Sequence, residues 1–214
     1  MFLFRINKLR ILNNRKLIGK ADLKLVSFIT TSDNSLPDMD EYIATNDPDK
    51  KRKIVQKAIQ SVISAKVTPT IQKITDNAII TFGDTGYSLY TADKIPAIFN
   101  WQFIAYRNKD RERTNAQLAE AIIKDDSFDG FSENIGTLIG AASNPAFAVG
   151  VEVVKFVTDT TLKIMASEND AEIGFVLMTL DRDEHYPHGE RKIDNVPDAT
   201  GNMFFDYSIF GMEN

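Results

Sequence analysis

The stretch "NDAEIGFVLMTL", Asn169 to Leu180, decides the fold class of this 214-residue chain. From Ile173 onward it carries no charge, and only Gly174 and Thr179 interrupt a run of large apolar side chains. A short, uncharged apolar run that follows acidic residues is typical of a strand buried in a sheet. We therefore expect a β-strand here, and the rest of the chain has to supply its partners.

Alternating patterns elsewhere predict those partners. Phe2, Phe4 and Ile6 recur at every second position, and the phase then slips, which predicts a β-bulge near Asn7–Lys8. The strongest alternation is "AIFNWQFIAYR", in which Phe99, Trp101 and Phe103 are separated by Asn100 and Gln102. Further strands are predicted at 21–31, 67–73, 78–82, 87–90 and 201–211. Turns are predicted at 13–20 and 124–130, and polar loops at 31–40 and 181–200.

Helical periodicity is confined to two insertions between these strands, at about 48–64 and 112–167. Pro48 is placed as a first-turn residue and Thr114 as an N-cap. A longer helix begins at Asn144–Pro145, with a narrow polar stripe formed by Glu152, Lys155, Asp159 and Lys163. We expect one domain over residues 1–214, mainly β with inserted helices, and an α+β fold as the alternative.

Composition excludes several kinds of chemistry. The chain has no cysteine, which rules out disulfides, thiolate nucleophiles and cysteine-bound metals. Its net charge of −5 hides an asymmetry, because residues 1–24 carry seven basic residues and one acid. From residue 168 onward there are eleven acids and three bases. The basic start is suited to phosphate or an anionic membrane, but the favoured interpretation is the charged outer face of a strand and its turn. The basic density is too low for a nucleic-acid-binding protein.

The hydrophobic segments do not predict a membrane-spanning protein. Arg5, Lys8 and Arg10 interrupt the apolar start, so no signal peptide is recognised. The most apolar stretch, 135–157, contains a proline and charged residues, which is unsuited to a membrane span. The expectation is a soluble protein, cytoplasmic by default.

Three segments, in order, resemble the C2 domain family. "IGKADLKLVSFIT" is similar to the family's strand entry with Asp22 at an aspartate position. "NWQFIAYRNKD" is similar to its D-x-D region, with Asn108 and Asp110 in the acidic places. "NDAEIGFVLMTL" is similar to its D-D-x-I-G segment, with Asp170 at the first aspartate and Gly174 at the glycine.

The resemblance implies an antiparallel β-sandwich that binds calcium and acidic lipid. It implies Asp22, Asp110 and Asp170 as calcium ligands, gathered from loops at one end of the sandwich. Asn108 and Ala171 replace two of the family's acids, so the site is expected to bind calcium weakly or not at all. The glycine is expected to let the chain turn into the buried strand.

The favoured function is a binding or assembly module, with a protein or an anionic membrane surface as its partner. The module is expected to be non-catalytic because no set of serine or carboxylate residues predicts catalysis. One alternative is a metal-dependent hydrolase that uses His185 and His188, since imidazoles beside carboxylates suit zinc or manganese. The other alternative is a membrane-active, toxin-like protein whose helix at 145–166 leaves the core and inserts.

Overall fold

The computed structural model describes residues 1–32, 39–63, 71–108, 114–139, 145–167, 171–186 and 189–212. The elements in chain order are β1 (Phe2–Ile11), β2 (Ala21–Thr31), α1 (Met39–Ala44), α2 (Pro48–Ile63), β3 (Ile71–Ile74), β4 (Ala78–Thr81), β5 (Tyr87–Ala92), β6 (Ile98–Asn108), α3 (Asn115–Ile123), α4 (Ser127–Ile139), α5 (Pro145–Ser167), β7 (Ala171–Asp181), α6 (Arg182–His185), β8 (Gly189–Pro197) and β9 (Met203–Gly211).

The strands form two antiparallel sheets that pack face to face. In the first sheet, β1 is paired on one side with β9, which in turn pairs with β8, and on the other side with β4 and β5. In the second sheet the order is β3-β2-β6-β7. The chain is therefore a mainly β sandwich with inserted helices, as the sequence predicted.

An aromatic core fills the space between the sheets. The ring centroids of Phe4 and Trp101 lie 4.9 Å apart, and those of Trp101 and Phe205 lie 5.4 Å apart. The indole N–H of Trp101 donates a hydrogen bond to the Ser27 hydroxyl at 2.8 Å. Since a buried indole needs a partner for its N–H, this bond lets the largest side chain occupy the centre of the core.

Helices cover the outer face of the second sheet, so β6 is buried on both sides. Val26 and Ile104 of that face belong to a second apolar core, which the buried faces of α2, α3, α4 and α5 complete. The sequence predicted Asn100 and Gln102 as the polar side of β6, yet each is only 2% exposed. The Asn100 side-chain amide nitrogen donates to the Thr179 hydroxyl at 2.8 Å, which satisfies part of the hydrogen-bonding capacity of this buried side chain.

The predicted helix starts and the predicted bulge are confirmed. Pro48 begins α2, and Thr114 caps α3 through a capping box with Gln117. The register between β1 and β9 shifts between Ile6 and Lys8, where the alternation slips.

The polar stripe of α5 also faces solvent as predicted. Lys155, Asp159 and Lys163 are exposed. Lys163 forms an ion pair with Asp125 at 2.7 Å, which lowers the pKa of that carboxyl to about 2. Because Asp125 lies between α3 and α4, this pair connects α5 with the helices beside it.

The elements α4, α6 and β8 lie where the sequence predicted a turn or a loop. The segment 181–200, expected to be a polar loop, contains α6 and the strand β8. The strand β8 is at a sheet edge, and most of its side chains are exposed, so no apolar alternation marks it. A helix, α4, begins at Ser127, where a turn was expected. Part of the strand predicted at 67–73 lies outside the described residues, and the rest belongs to β3.

Gly174 serves close packing and not a turn, which corrects the role expected for it. Its φ lies outside the left-handed region. A Cβ added at Gly174 would lie 2.8 Å from the Cβ of Met203 and 2.7 Å from its Cε. Only a hydrogen at this position lets β7 approach β9 across the core.

We predict that Gly174→Ala lowers the free energy of unfolding by about 1–3 kcal/mol, because the added methyl overpacks the core against Met203. Urea unfolding measures this change. The control is Gly130→Ala in α4, where a Cβ has open space and a better helix former raises stability by about 0.5–1 kcal/mol. Equal effects of the two substitutions would contradict the packing role.

Candidate functional site

One end of the sandwich gathers segments that are distant in sequence. The β1–β2 loop (residues 12–20) lies beside the β3–β4 turn, because Asn77 N–H donates to the Leu12 carbonyl at 3.0 Å. It also lies beside the β8–β9 loop, because Leu12 N–H donates to the Asn202 carbonyl at 2.9 Å. The carboxyl end of β6 and the start of β7 close the same end.

The sheet register brings the predicted calcium segments to this end. Asp22 in β2 is paired with Asn108 in β6, and the preceding residue of β6, Arg107, is paired with Ala171. The strand ends next to Asp110 and Asp170 therefore meet beside Asp22. Asp110 and Asp170 lie outside the described residues, so the grouping of the three carboxylates stays a prediction.

Two of the acids described at this end, Asp22 and Asp198, have structural partners. The Oδ1 atom of Asp22 accepts the backbone N–H of Lys73 at 3.0 Å. Asp198 is buried and accepts the backbone N–H groups of Phe175 at 2.8 Å and Met203 at 2.9 Å. In the part of the chain that the structure describes, no three His, Asp or Glu side chains form a metal site. A calcium ion would therefore depend on Asp110 and Asp170.

The most unusual feature of this end is an apolar tip on the β1–β2 loop. Leu17 and Ile18 are 103% and 87% exposed, which puts two adjacent aliphatic side chains fully in water. Arg15, Lys16 and Lys20 surround them in sequence, and we call these three residues the basic rim. The two adjacent side chains form a small apolar patch at this end of the sandwich.

The sequence contained a signal for this tip that the prediction of an ordinary turn missed. Surface turns are rich in Gly, Asn, Asp and Ser, whereas "RKLIGK" places two large aliphatic residues between cations. This segment lies outside both strands, in the connection between β1 of the first sheet and β2 of the second.

The loop has a defined conformation. Arg15 has a φ of 58° and Gly19 a φ of 92°, and these left-handed residues bracket the tip. The Asn14 side chain is 1% exposed and bonds to both sides of the tip. Its Nδ2 donates to the Gly19 carbonyl at 2.9 Å, and its Oδ1 accepts the Lys16 N–H at 2.9 Å.

Charges at the base of the loop are arranged around Arg15. Burial and, next, the Asp198 carboxylate raise the pKa of Glu172, whereas the Arg15 guanidinium lowers it. The guanidinium of Arg107 donates to the Arg15 carbonyl. The Lys16 ammonium donates to the Lys20 carbonyl at 2.8 Å. The acids therefore lie at the base of the loop, and the cations of the rim lie next to the tip.

The second predicted metal site is only partly described. The Nδ1 atom of His185 accepts the backbone N–H of Asp181 at 3.0 Å, which stabilises the short helix α6. His188 lies outside the described residues. The site formed by His185 and His188 therefore stays a prediction.

The membrane-inserting helix of the toxin-like alternative corresponds to α5, which is packed on the second sheet. Among the helices in the described ranges, none has both the length and the apolar character needed to cross a bilayer.

The comparisons with known proteins give similarity to solved structures alone. The sequence matches no protein-family model, and the curated proteins provide no match. The human GIVD cytosolic phospholipase A2 in complex with methyl gamma-linolenyl fluorophosphonate has 9% identity and a TM-score of 0.37; the overlap covers 100% of this chain and 17% of the phospholipase chain. The Drosophila C2-DSL-EGF1 structure has 8% identity and a TM-score of 0.37, over 98% of this chain and 65% of the Drosophila chain. The resemblance to a C2-containing structure is weak and partial.

We predict that Leu17→Ser combined with Ile18→Ser changes the free energy of unfolding by less than about 0.5 kcal/mol, because neither side chain is buried. Urea unfolding checks this. The control is Leu25→Ser, at a fully buried position of β2, which should lose at least about 2 kcal/mol. A loss of similar size from the double substitution would show that the tip belongs to the core and not to a binding surface.

Proposed function

We propose that this chain is a non-catalytic binding module that docks on an anionic membrane surface through its β1–β2 loop. The observation that carries the proposal is the fully exposed pair Leu17 and Ile18 inside the basic rim. Each part of the loop then has a separate role, apolar insertion at the tip and charge attraction at the rim.

The apolar contribution comes from transferring the tip out of water. Full burial of one Leu or Ile side chain is worth about 1.5–3 kcal/mol. A tip of two residues reaches the boundary between headgroups and acyl chains, which is where interfacial segments bind. Two such side chains give modest, reversible affinity, as expected of a peripheral module.

The electrostatic contribution comes from the rim. Each Lys or Arg near an anionic leaflet contributes about 1 kcal/mol, and salt screens this attraction. The whole chain has a net charge of −5, so it is not drawn to anionic lipid in every orientation. The rim is adjacent to the apolar tip, whereas Glu172 and Asp198 lie at the base of the loop, so in an approach with the loop first the cations meet the leaflet before these acids do.

A membrane suits this surface better than a protein pocket does. Pockets in protein partners are concave and receive apolar side chains, but their walls are seldom uniformly negative. A bilayer presents negative headgroups around an apolar interior, which matches cations arranged around an aliphatic tip. Binding to a protein and not to lipid is an outcome that the vesicle experiment below identifies.

The proposal includes the weak calcium site predicted at Asp22, Asp110 and Asp170. Support comes from the register, since Asp22 and the strand ends beside the other two aspartates meet at the end that carries the loop. Calcium prefers carboxylate oxygens, and positive charge there would add to that of the rim.

We predict that the protein sediments with vesicles of phosphatidylcholine and phosphatidylserine, and much less with phosphatidylcholine alone. Leu17→Ser combined with Ile18→Ser should weaken binding at least about tenfold, since each 1.4 kcal/mol of lost transfer energy is one factor of ten. Lys16→Gln combined with Lys20→Gln should weaken it by about tenfold or more at low salt, and by less at high salt.

The matched control is Lys94→Gln combined with Lys192→Gln, which removes the same charge from exposed positions away from the loop. This variant should bind as the unaltered protein does. Failure of the unaltered protein to bind anionic vesicles, or unchanged binding by the tip variant, would overturn the proposal.

For calcium, we predict a gain in melting temperature on titration, and its loss in Asp22→Asn. Calcium at ten times its dissociation constant stabilises the folded state by about 1.4 kcal/mol. In this variant the side-chain amide oxygen can still accept the Lys73 N–H, so the substitution removes charge with little change of structure. Asp159→Asn, on the exposed stripe of α5, is the control. No heat of binding and no gain in melting temperature would remove calcium and leave the lipid-docking proposal standing.

A further inference from the structure

We infer that Asn14 is a positioning residue for docking, which holds Leu17 and Ile18 in their exposed arrangement before the chain meets a membrane. This inference rests on the proposed function. It goes beyond that function because it assigns the shape of the tip to a residue that is buried and touches no lipid.

The hydrogen bonds of the Asn14 amide carry the inference. Nδ2 donates to the Gly19 carbonyl at 2.9 Å and to the Ile74 carbonyl at 3.1 Å, and Oδ1 accepts the Lys16 N–H at 2.9 Å. Lys16 precedes the apolar pair and Gly19 follows it, so one side chain joins both sides of the tip. The bond to Ile74 fixes that side chain to β3, at the edge of the second sheet.

The backbone of Asn14 strengthens the same connection. Its N–H donates to the Oδ1 of Asp76 at 2.8 Å, in the turn between β3 and β4. The residue is 1% exposed, so an unpaired polar atom here would be costly. The amide has two donors and one acceptor in use, and neither Asp nor Leu of similar size reproduces that set.

The backbone conformation shows why the tip needs this support. Arg15 has a φ of 58°, a region that residues with a side chain adopt only when their surroundings enforce it. The Asn14 side chain bonds to Lys16, directly after Arg15, and to Gly19, on the other side of the apolar pair. A tip held in this way loses little further freedom on docking, and preorganisation of this kind increases affinity.

The chain offers a matched control at the same end. Asn202 is buried, and its Nδ2 donates to the carbonyls of Asn13 at 3.0 Å and Ile173 at 2.7 Å. Its Oδ1 accepts the Asn13 N–H at 3.0 Å. The Asn202 side-chain amide makes the same number and kind of hydrogen bonds as that of Asn14. Its partners are Asn13, at the base of the loop, and Ile173 in β7, and not the residues of the tip.

The experiment compares Asn14→Ala with Asn202→Ala in the full chain. Binding to phosphatidylserine-containing vesicles should fall about tenfold for Asn14→Ala and stay near that of the unaltered protein for Asn202→Ala, because preorganisation is lost only in the first. Hydrogen exchange at the Lys16 amide should accelerate only in Asn14→Ala. Equal binding by the unaltered protein and Asn14→Ala, or equal losses in both variants, would overturn the inference.

Hydrogen exchange in the unaltered protein keeps the inference testable if Asn14→Ala does not fold. The Lys16 amide, which donates to Asn14, should then exchange more slowly than those of Leu17 and Ile18. Equal exchange at the three amides would overturn the positioning role. Absence of vesicle binding by the unaltered protein would instead overturn the proposed function, and exchange would still decide whether Asn14 orders the tip.

Discussion

The pairing of β2 with β6 is the constraint on which the rest of the structure depends. The two strands are in register over ten residue pairs, from Asp22 with Asn108 to Thr31 with Phe99. One face of this pair lies in the aromatic core of the sandwich, and the other also carries large apolar side chains. A sheet with two apolar faces needs two covering layers, so the first sheet covers one face and the inserted helices cover the other.

The same register fixes where the loops meet. The strands β2, β6 and β7 pair antiparallel, so the start of β2, the end of β6 and the start of β7 lie at one end of the sheet. The loop that precedes β2 is held to that end by side-chain amides. A stable sheet edge beneath it lets two aliphatic side chains stand in water without the loop collapsing onto the core. The position of the proposed docking surface is therefore a product of the strand pairing.

The charge of the first 24 residues and the net charge of the chain have opposite signs. The chain is acidic as a whole, but its first 24 residues are strongly basic. Part of that basic stretch is neutralised in the first sheet, where Arg5 pairs with Glu190 and Lys8 with Asp206. The basic rim of the loop is placed beside the exposed tip instead. The proposed docking on an anionic surface therefore depends on the position of a few cations and not on the net charge.

The sequence by itself determined the features that short segments specify. Alternation predicted the strands and the slip near Lys8, and the first-turn proline at Pro48 and the cap at Thr114 marked helix starts, because each depends on neighbours along the chain. The register decided which predicted calcium segments approach Asp22. Only tertiary structure decided that Gly174 faces Met203 and that Leu17 remains in water. The close approach of Gly174 to Met203 arises between residues far apart in sequence and no local pattern encodes it, whereas "RKLIGK" carried only a local hint of the exposed tip.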